Sequence, residues 1–176
     1  PYLTGSIAVT EIRTIQDAGI IAMAKHFAAN EQETNRHNVS QTIDEQVLHE
    51  LYLLPFEMAV KEGEVASLMC SYNDLNGSQA CENKTLLTDV LRTQWGFKGY
   101  VQSDFFAVKS TAKSLVAGLD HLMPIPSFWS PDRLDKALAK DELTLKHIDI
   151  ALGRRYQQMF KLGIFERPLV QKPLPI

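Results

Sequence analysis

Four short apolar runs punctuate the chain, over residues 19–27, 65–71, 99–103 and 118–123. Each is nearly continuous rather than alternating, the pattern of parallel strands covered on both faces. Between them apolar residues recur at helical spacing. Ile43, Val47, Leu51, Leu54 and Met58 make one stripe, opened by a Thr42–Glu45 capping-box pattern and kinked at Pro55. Leu86, Val90 and Leu91 make a second, capped by Thr85 and stopped at Gly96. Ser130-Pro131 opens a third. A last helix over 145–162 carries Ile148, Leu152, Tyr156 and Met159 on one face and stops at Gly163, and residues 107–116 are weakly helical. Strand alternating with helix predicts an α/β fold with parallel strands. A closed eightfold barrel takes about 250 residues, so these strands fit either a small open sheet or the second half of a (β/α)8 TIM-type barrel. In both, ligands belong at the carboxyl ends of the strands.

Composition narrows the class without changing that picture. The chain has 176 residues, 45% of them hydrophobic and 22% charged, with a net charge of −3. These values are those of an ordinary globular domain, not of a disordered, collagenous or coiled-coil chain. Lys and Arg are dispersed, so no footprint for a phosphate backbone is expected, and nucleic acid is not an expected partner. No apolar run approaches the roughly 18–20 residues of a membrane span, the N-terminus lacks the basic-then-apolar pattern of a signal peptide, and no membrane partner is expected. Residues 1–166 read as one partial domain, and the Pro-containing stretch 167–176 as a linker or truncated tail.

The polar residues at the strand ends hold the candidate chemistry. The first strand runs into Lys25-His26-Phe27, donors that suit a hydroxyl-rich ligand, although a surface lysine and a core histidine would read the same locally. The second runs into Met69-Cys70-Ser71-Tyr72-Asn73, with Cys81 eleven residues after Cys70 across an Asn76-Gly77 turn. The two cysteines can close a small loop in an oxidising compartment, or remain two buried thiols in a reducing one. They do not complete a zinc site, and His37, His49 and His147 show no metal spacing, so no metal or cofactor is expected. The third strand delivers Ser103-Asp104-Phe105, where a carboxylate is costly to desolvate unless used, or unless it caps the following helix. Asp120-His121 at the end of the fourth run is read as structural.

Together, Lys25-His26-Phe27 with Asn30-Glu31-Gln32-Glu33, Met69-Cys70-Ser71-Tyr72-Asn73, Ala80-Cys81-Glu82-Asn83, Trp95-Gly96-Phe97 and Ser103-Asp104 resemble glycoside hydrolase family 3, and its β-glucosidases in particular. The resemblance runs over about residues 2–166. It implies a retaining exo-acting glycosidase whose first domain is a (β/α)8 barrel, with Asp104 as nucleophile, Lys25 and His26 binding sugar hydroxyls, Met69 and Tyr72 lining the same pocket, and Cys70–Cys81 as a disulfide. Phe105 stands where the family has a Trp, which keeps a stacking surface but removes the indole donor. The substrate so implied is a terminal β-D-glucoside or oligosaccharide. β-Xylosidase is the alternative within the family, and a non-catalytic sugar-binding half-barrel is the alternative outside it. A β-N-acetylglucosaminidase is disfavoured, because the Gly-His-Gly-like stretch of that group is replaced by Ala28-Ala29-Asn30-Glu31.

The resemblance also implies that the earlier barrel strands and the second domain, which carries the acid/base carboxylate, lie outside this chain. Alone it is expected to be inactive, since losing general-acid catalysis costs about 10²- to 10⁴-fold. Glu31, Glu33, Glu57 and Glu82 are poor substitutes. The cysteine pair, with sequons at Asn38, Asn76 and Asn83, points to an extracellular or periplasmic setting.

Overall fold

The computed structural model describes residues 1–167; the tail read as a linker lies, from 168 on, outside the described residues. Three parallel strands form the central sheet in the order β1 (Met23–Phe27), β3 (Ser67–Cys70) and β6 (Tyr100–Ser103). A second, small sheet is built from β2 (Ser40–Gln41), β4 (Asp74–Leu75) and β5 (Ser78–Gln79). The fourth apolar run does not form a full strand. It joins β6 through one parallel bridge, Gln102 to His121, supported by Ser103 N–H donating to the His121 carbonyl at 2.8 Å. Phe27, Leu68, Val101 and Leu119, one from each run, are completely buried together with Leu53, Leu87 and Leu91 from the helices. Near-continuous apolar runs are what a sheet covered in this way requires.

A 16-residue helix, α1 (Tyr2–Asp17), precedes β1; the apolar spacing of the sequence assigned no element there. Its buried line is only Gly5, Val9 and Ile12, too sparse a stripe to stand out. Gly5 permits a close approach to the helix that carries Met58, since a Cβ there would collide with the Met58 sulfur. Arg13 donates to the Glu62 carbonyl, and Gln16 both donates to the Glu64 carbonyl and accepts from the Ala66 N–H, so α1 is tied to the turn that enters β3.

After β1 the chain enters α2 (Glu45–Val47), which widens into i→i+5 turns over Leu48–Leu53 before α3 (Leu54–Lys61). The cap is Asp44, whose carboxylate accepts from Gln46 and Val47 N–H, and not the expected Thr42–Glu45 pair. Pro55 sits in the first turn of α3, and the widened turns before it take the place of a sharp kink. The helix over Thr85–Gln94 is likewise wide-turned, and its cap is Asn83, accepting from Leu86 N–H at 3.0 Å, rather than Thr85. Asn83 is buried and also donates to the Leu75 carbonyl, which selects it over its neighbour.

Three further helices follow among the described residues: α4 (Ala112–Ala117), α5 (Pro131–Ala139) behind Ser130, and α6 (Leu145–Lys161). The α6 stripe differs from the expected one. Ala151 and Gln158 are buried, while Leu152 and Tyr156 are exposed, because Gln158 turns inward to donate to the Lys98 carbonyl.

Cys70 and Cys81 are joined, and both are fully buried. The bond ties the end of β3 to the turn that follows the Asn76-Gly77 hairpin, whose two residues adopt φ of 50° and 83°. For a loop of this size such a link is worth about 2–3 kcal/mol. Among the described residues no helix is long and apolar enough to cross a membrane.

Candidate active site

The register of the parallel sheet decides what meets at its carboxyl edge. Phe27 pairs with Cys70 and Cys70 with Ser103, so the three strands end abreast. The residues just beyond, Ala28, Ser71-Tyr72 and Asp104, therefore emerge side by side, with Ser71 N–H bonded to the Phe27 carbonyl and Asp104 N–H to that of Cys70. Ser71 Oγ and Asn73 Nδ2 both donate to the Ala28 carbonyl and fix the start of the loop after β1.

Asp104 has one carboxylate oxygen on the N–H of Phe105 at 2.7 Å and the other 3.3 Å from His26 Nε2. Its side chain is 15% exposed, open enough to meet a ligand yet shielded from bulk water. Burial lowers His26 below its ordinary 6.5, and the neighbouring Asp104 only partly offsets it, so the ring is uncharged near neutral pH. Burial raises the Tyr72 phenol above its ordinary value, and the Asp104 carboxylate adds to the effect.

Of the residues expected to form the site, His26, Tyr72 and Asp104 are brought together. Phe105 follows Asp104 and is half-exposed, and Met69 is half-buried opposite Gln102 in the sheet. Lys25 is exposed, one residue before His26 across a cis peptide, and has no carboxylate within ion-pair distance among the described residues. A cavity of about 700 Å³ lies between α1, the free edge of β1 and α3; Lys25, His26, Asn30 and Glu31 line it, whereas Asp104, Tyr72 and Met69 do not. The carboxylate thus sits on an open rim and not in that cavity.

Two rim residues were not assigned to the site from the sequence. Arg36 lies over the Tyr72 ring at 4.7 Å, paired with Glu33 at 2.8 Å, and the His37 ring stands 4.2 Å from that of Tyr72. The only signal was the unbroken polar run after a strand end. Glu82 is buried and spoken for: it accepts from Lys109 N–H at 3.1 Å and lies 3.6 Å from the Lys113 ammonium.

Beneath the rim, Asp120 accepts from the Val101 N–H at 2.8 Å, from Arg92, and from Arg154 at 3.1 Å. Burial pushes its carboxyl up while the two guanidiniums pull it down; the same burial brings Arg92 to about 10. This is the structural role read for Asp120, with both arginines added. Its neighbour His121 bonds Gln102 at 3.0 Å through Nδ1.

Burial first, and then the Arg155 charge, push His121 from 6.5 down to about 4. The unfolded chain therefore takes up a proton near pH 6.5 that the folded state refuses, and stability should fall as pH drops from 6.5 towards about 4. The full difference is roughly 3 kcal/mol, which water reaching the half-buried ring reduces to about 1–2 kcal/mol. Urea unfolding near neutrality and at about pH 5 checks this. His121→Gln should show the smaller loss on acidification, and an equal loss in both proteins would contradict it.

A parallel α/β sheet with a carboxylate, an imidazole and a phenol gathered at its strand ends has the layout of a barrel enzyme's catalytic face. The chain belongs to glycosyl hydrolase family 3: residues 1–157 match the model of that family's N-terminal domain. It is 43% identical over 173 residues to β-glucosidase B of Emericella nidulans and 42% identical over 167 residues to a β-glucosidase of Rhizobium radiobacter. These alignments cover 97% and 95% of the chain but 20% of each relative, so the chain spans about a fifth of their length. Among solved structures, β-glucosidase 3B of Thermotoga neapolitana in complex with glucose superposes with a TM-score of 0.89 at 35% identity, over 94% of this chain and 24% of that one. The β-D-glucoside glucohydrolase of Trichoderma reesei gives 0.88 at 39% identity, over 93% and 24%. Of the two architectures left open by the sequence, these neighbours select part of a barrel domain over a small open sheet.

Proposed function

We propose that residues 1–166 form part of the catalytic barrel of a retaining exo-β-glucosidase and that Asp104 is its nucleophile. The observation that carries this reading is the placement of the Asp104 carboxylate 3.3 Å from His26 at the open ends of the parallel strands, with Tyr72 alongside. One Asp104 oxygen attacks C1 of a terminal β-glucosyl residue; the bond from C1 to the aglycone oxygen breaks, and that oxygen takes a proton from an acid. Water then attacks C1 of the glycosyl ester, the C1–carboxylate bond breaks, and the water's proton passes to the conjugate base of that acid. His26 and Lys25 hold sugar hydroxyls, Met69 and Tyr72 wall the glycone, and Phe105 offers a stacking face to the aglycone.

The acid comes from outside this chain. Glu82 is buried against Lys109 and Lys113, Glu57 is paired with Lys61, and Glu31 and Glu33 lie on the loop after β1, Glu33 engaged by Arg36. The complete activity therefore belongs to a longer assembly, which also supplies the remaining barrel strands, and the buried disulfide favours an extracellular or periplasmic setting.

A fluorinated aryl β-glucoside tests the assignment directly, because its leaving group departs without a proton and the fluorine slows release of the glycosyl ester. Peptide mass mapping of the treated protein should find the fluoroglucosyl mass on the peptide containing Asp104. Label on another carboxylate, or none in a protein that turns over the parent glucoside, would overturn it.

A further inference from the structure

The loop between β1 and β2 carries Arg36 and His37, which flank the Tyr72 ring, yet it has little structure of its own. Its ends are fixed: Ser71 and Asn73 hold the Ala28 carbonyl, and Asp74 N–H donates to the Val39 carbonyl where β2 and β4 begin to pair. Over residues 29–38 the other hydrogen bonds are internal, such as Gln32 to the Thr34 carbonyl and Asn38 to that of Asn35. Among the described residues, one hydrogen bond reaches this stretch from another element: the Lys109 ammonium donates to the His37 carbonyl at 3.1 Å, 72 residues away in sequence.

Lys109 is well placed to act as a brace. It lies five residues past Asp104, on the segment that leaves β6, and its own N–H is held by the buried Glu82 carboxylate next to the Cys70–Cys81 bond. Its ammonium also lies 4.0 Å from Asp74, on the strand that pairs with the loop's far end. One side chain thus joins the segment of the candidate nucleophile to the loop that packs on Tyr72.

We propose that Lys109 is a positioning residue: by holding the His37 carbonyl it presses Arg36 and His37 onto Tyr72 and so keeps Tyr72 beside Asp104. The effect on sugar binding rests on the function proposed above; the effect on the loop does not. A long, half-exposed side chain contributes little to global stability, so its removal loosens the loop and leaves the core intact.

Hydrogen exchange on the chain is the first measurement. Lys109→Met should speed exchange of the amides over residues 33–39 by about tenfold, with β3 and β6 unchanged, and Lys109→Arg should restore protection because guanidinium can make the same bond. Unchanged loop exchange in Lys109→Met, or no recovery in Lys109→Arg, would overturn the proposal. In the intact enzyme, Lys109→Met should raise KM for an aryl β-glucoside about three- to tenfold with kcat changed less, and Lys109→Arg should recover it. An unchanged KM in a protein that Asp104→Asn inactivates counts against the role of Lys109 alone, whereas full turnover by Asp104→Asn counts against the proposed function.

Discussion

Asp104→Asn should abolish glucoside hydrolysis in the intact enzyme, lowering kcat by about 10⁴-fold or more while leaving the fold in place. The amide keeps the volume of the carboxylate and can still accept from Phe105 N–H, so the local bond at 2.7 Å survives. On the proposed mechanism it loses the charge that would stabilise an oxocarbenium-like transition state and the oxygen that would form the ester. His26 is expected to remain uncharged, since burial is the larger influence on it and the upward pull of Asp104 is removed, leaving only that of Glu33. Rates with an aryl β-glucoside, measured beside the circular dichroism of both proteins, check this. A variant retaining more than about a hundredth of the rate would assign the nucleophile elsewhere.

Asp120→Ala should be the most damaging single change to stability, at about 3–5 kcal/mol. The carboxylate is completely buried and its loss leaves Arg92, itself nearly buried, and Arg154 without their shared partner. Arg92 also donates to the carbonyls of Gly99 and Gly118, so the cluster ties the helix over Thr85–Gln94, β6, the fourth run and α6 to one point. The Val101 N–H would be orphaned as well, weakening the strand that ends at Asp104. Thermal unfolding should show a drop in Tm of roughly 10 °C or more. Breaking the exposed Glu57–Lys61 pair by Lys61→Ala is the control, expected to cost about 0–1 kcal/mol. Equal effects from the two would mean that the buried cluster is not what joins these elements.

How much of this could be read in the chain depends on the range over which each feature is determined. The three full strands followed from continuous apolar runs, because burial on both faces writes itself into consecutive residues. The fourth run looked the same, yet it makes a single bridge, since pairing depends on a neighbour's register and not on its own composition. Helix α1 went unseen because its contact with α3 relies on Gly5, a position whose value is the absence of a side chain. The caps at Asp44 and Asn83 displaced the expected Thr42 and Thr85, because competing acceptors two residues apart are chosen by what the rest of the fold leaves unpaired.

The site divides the same way. Asp104, His26 and Lys25 were legible as polar residues at strand ends; Met69 and Tyr72 became site candidates only through the family resemblance, which also implied the link between Cys70 and Cys81 that their spacing across a turn had left open. Local order along the chain determined that much: where the apolar runs stop, which chemistry follows each stop, and which family those words belong to. Tertiary structure alone decided that the stops stand abreast, that Arg36 and His37 close on Tyr72, that Lys109 reaches His37, and that two arginines share Asp120. Each of these joins residues tens of positions apart through a single distance, and a distance of that kind exists only after the sheet has set its register.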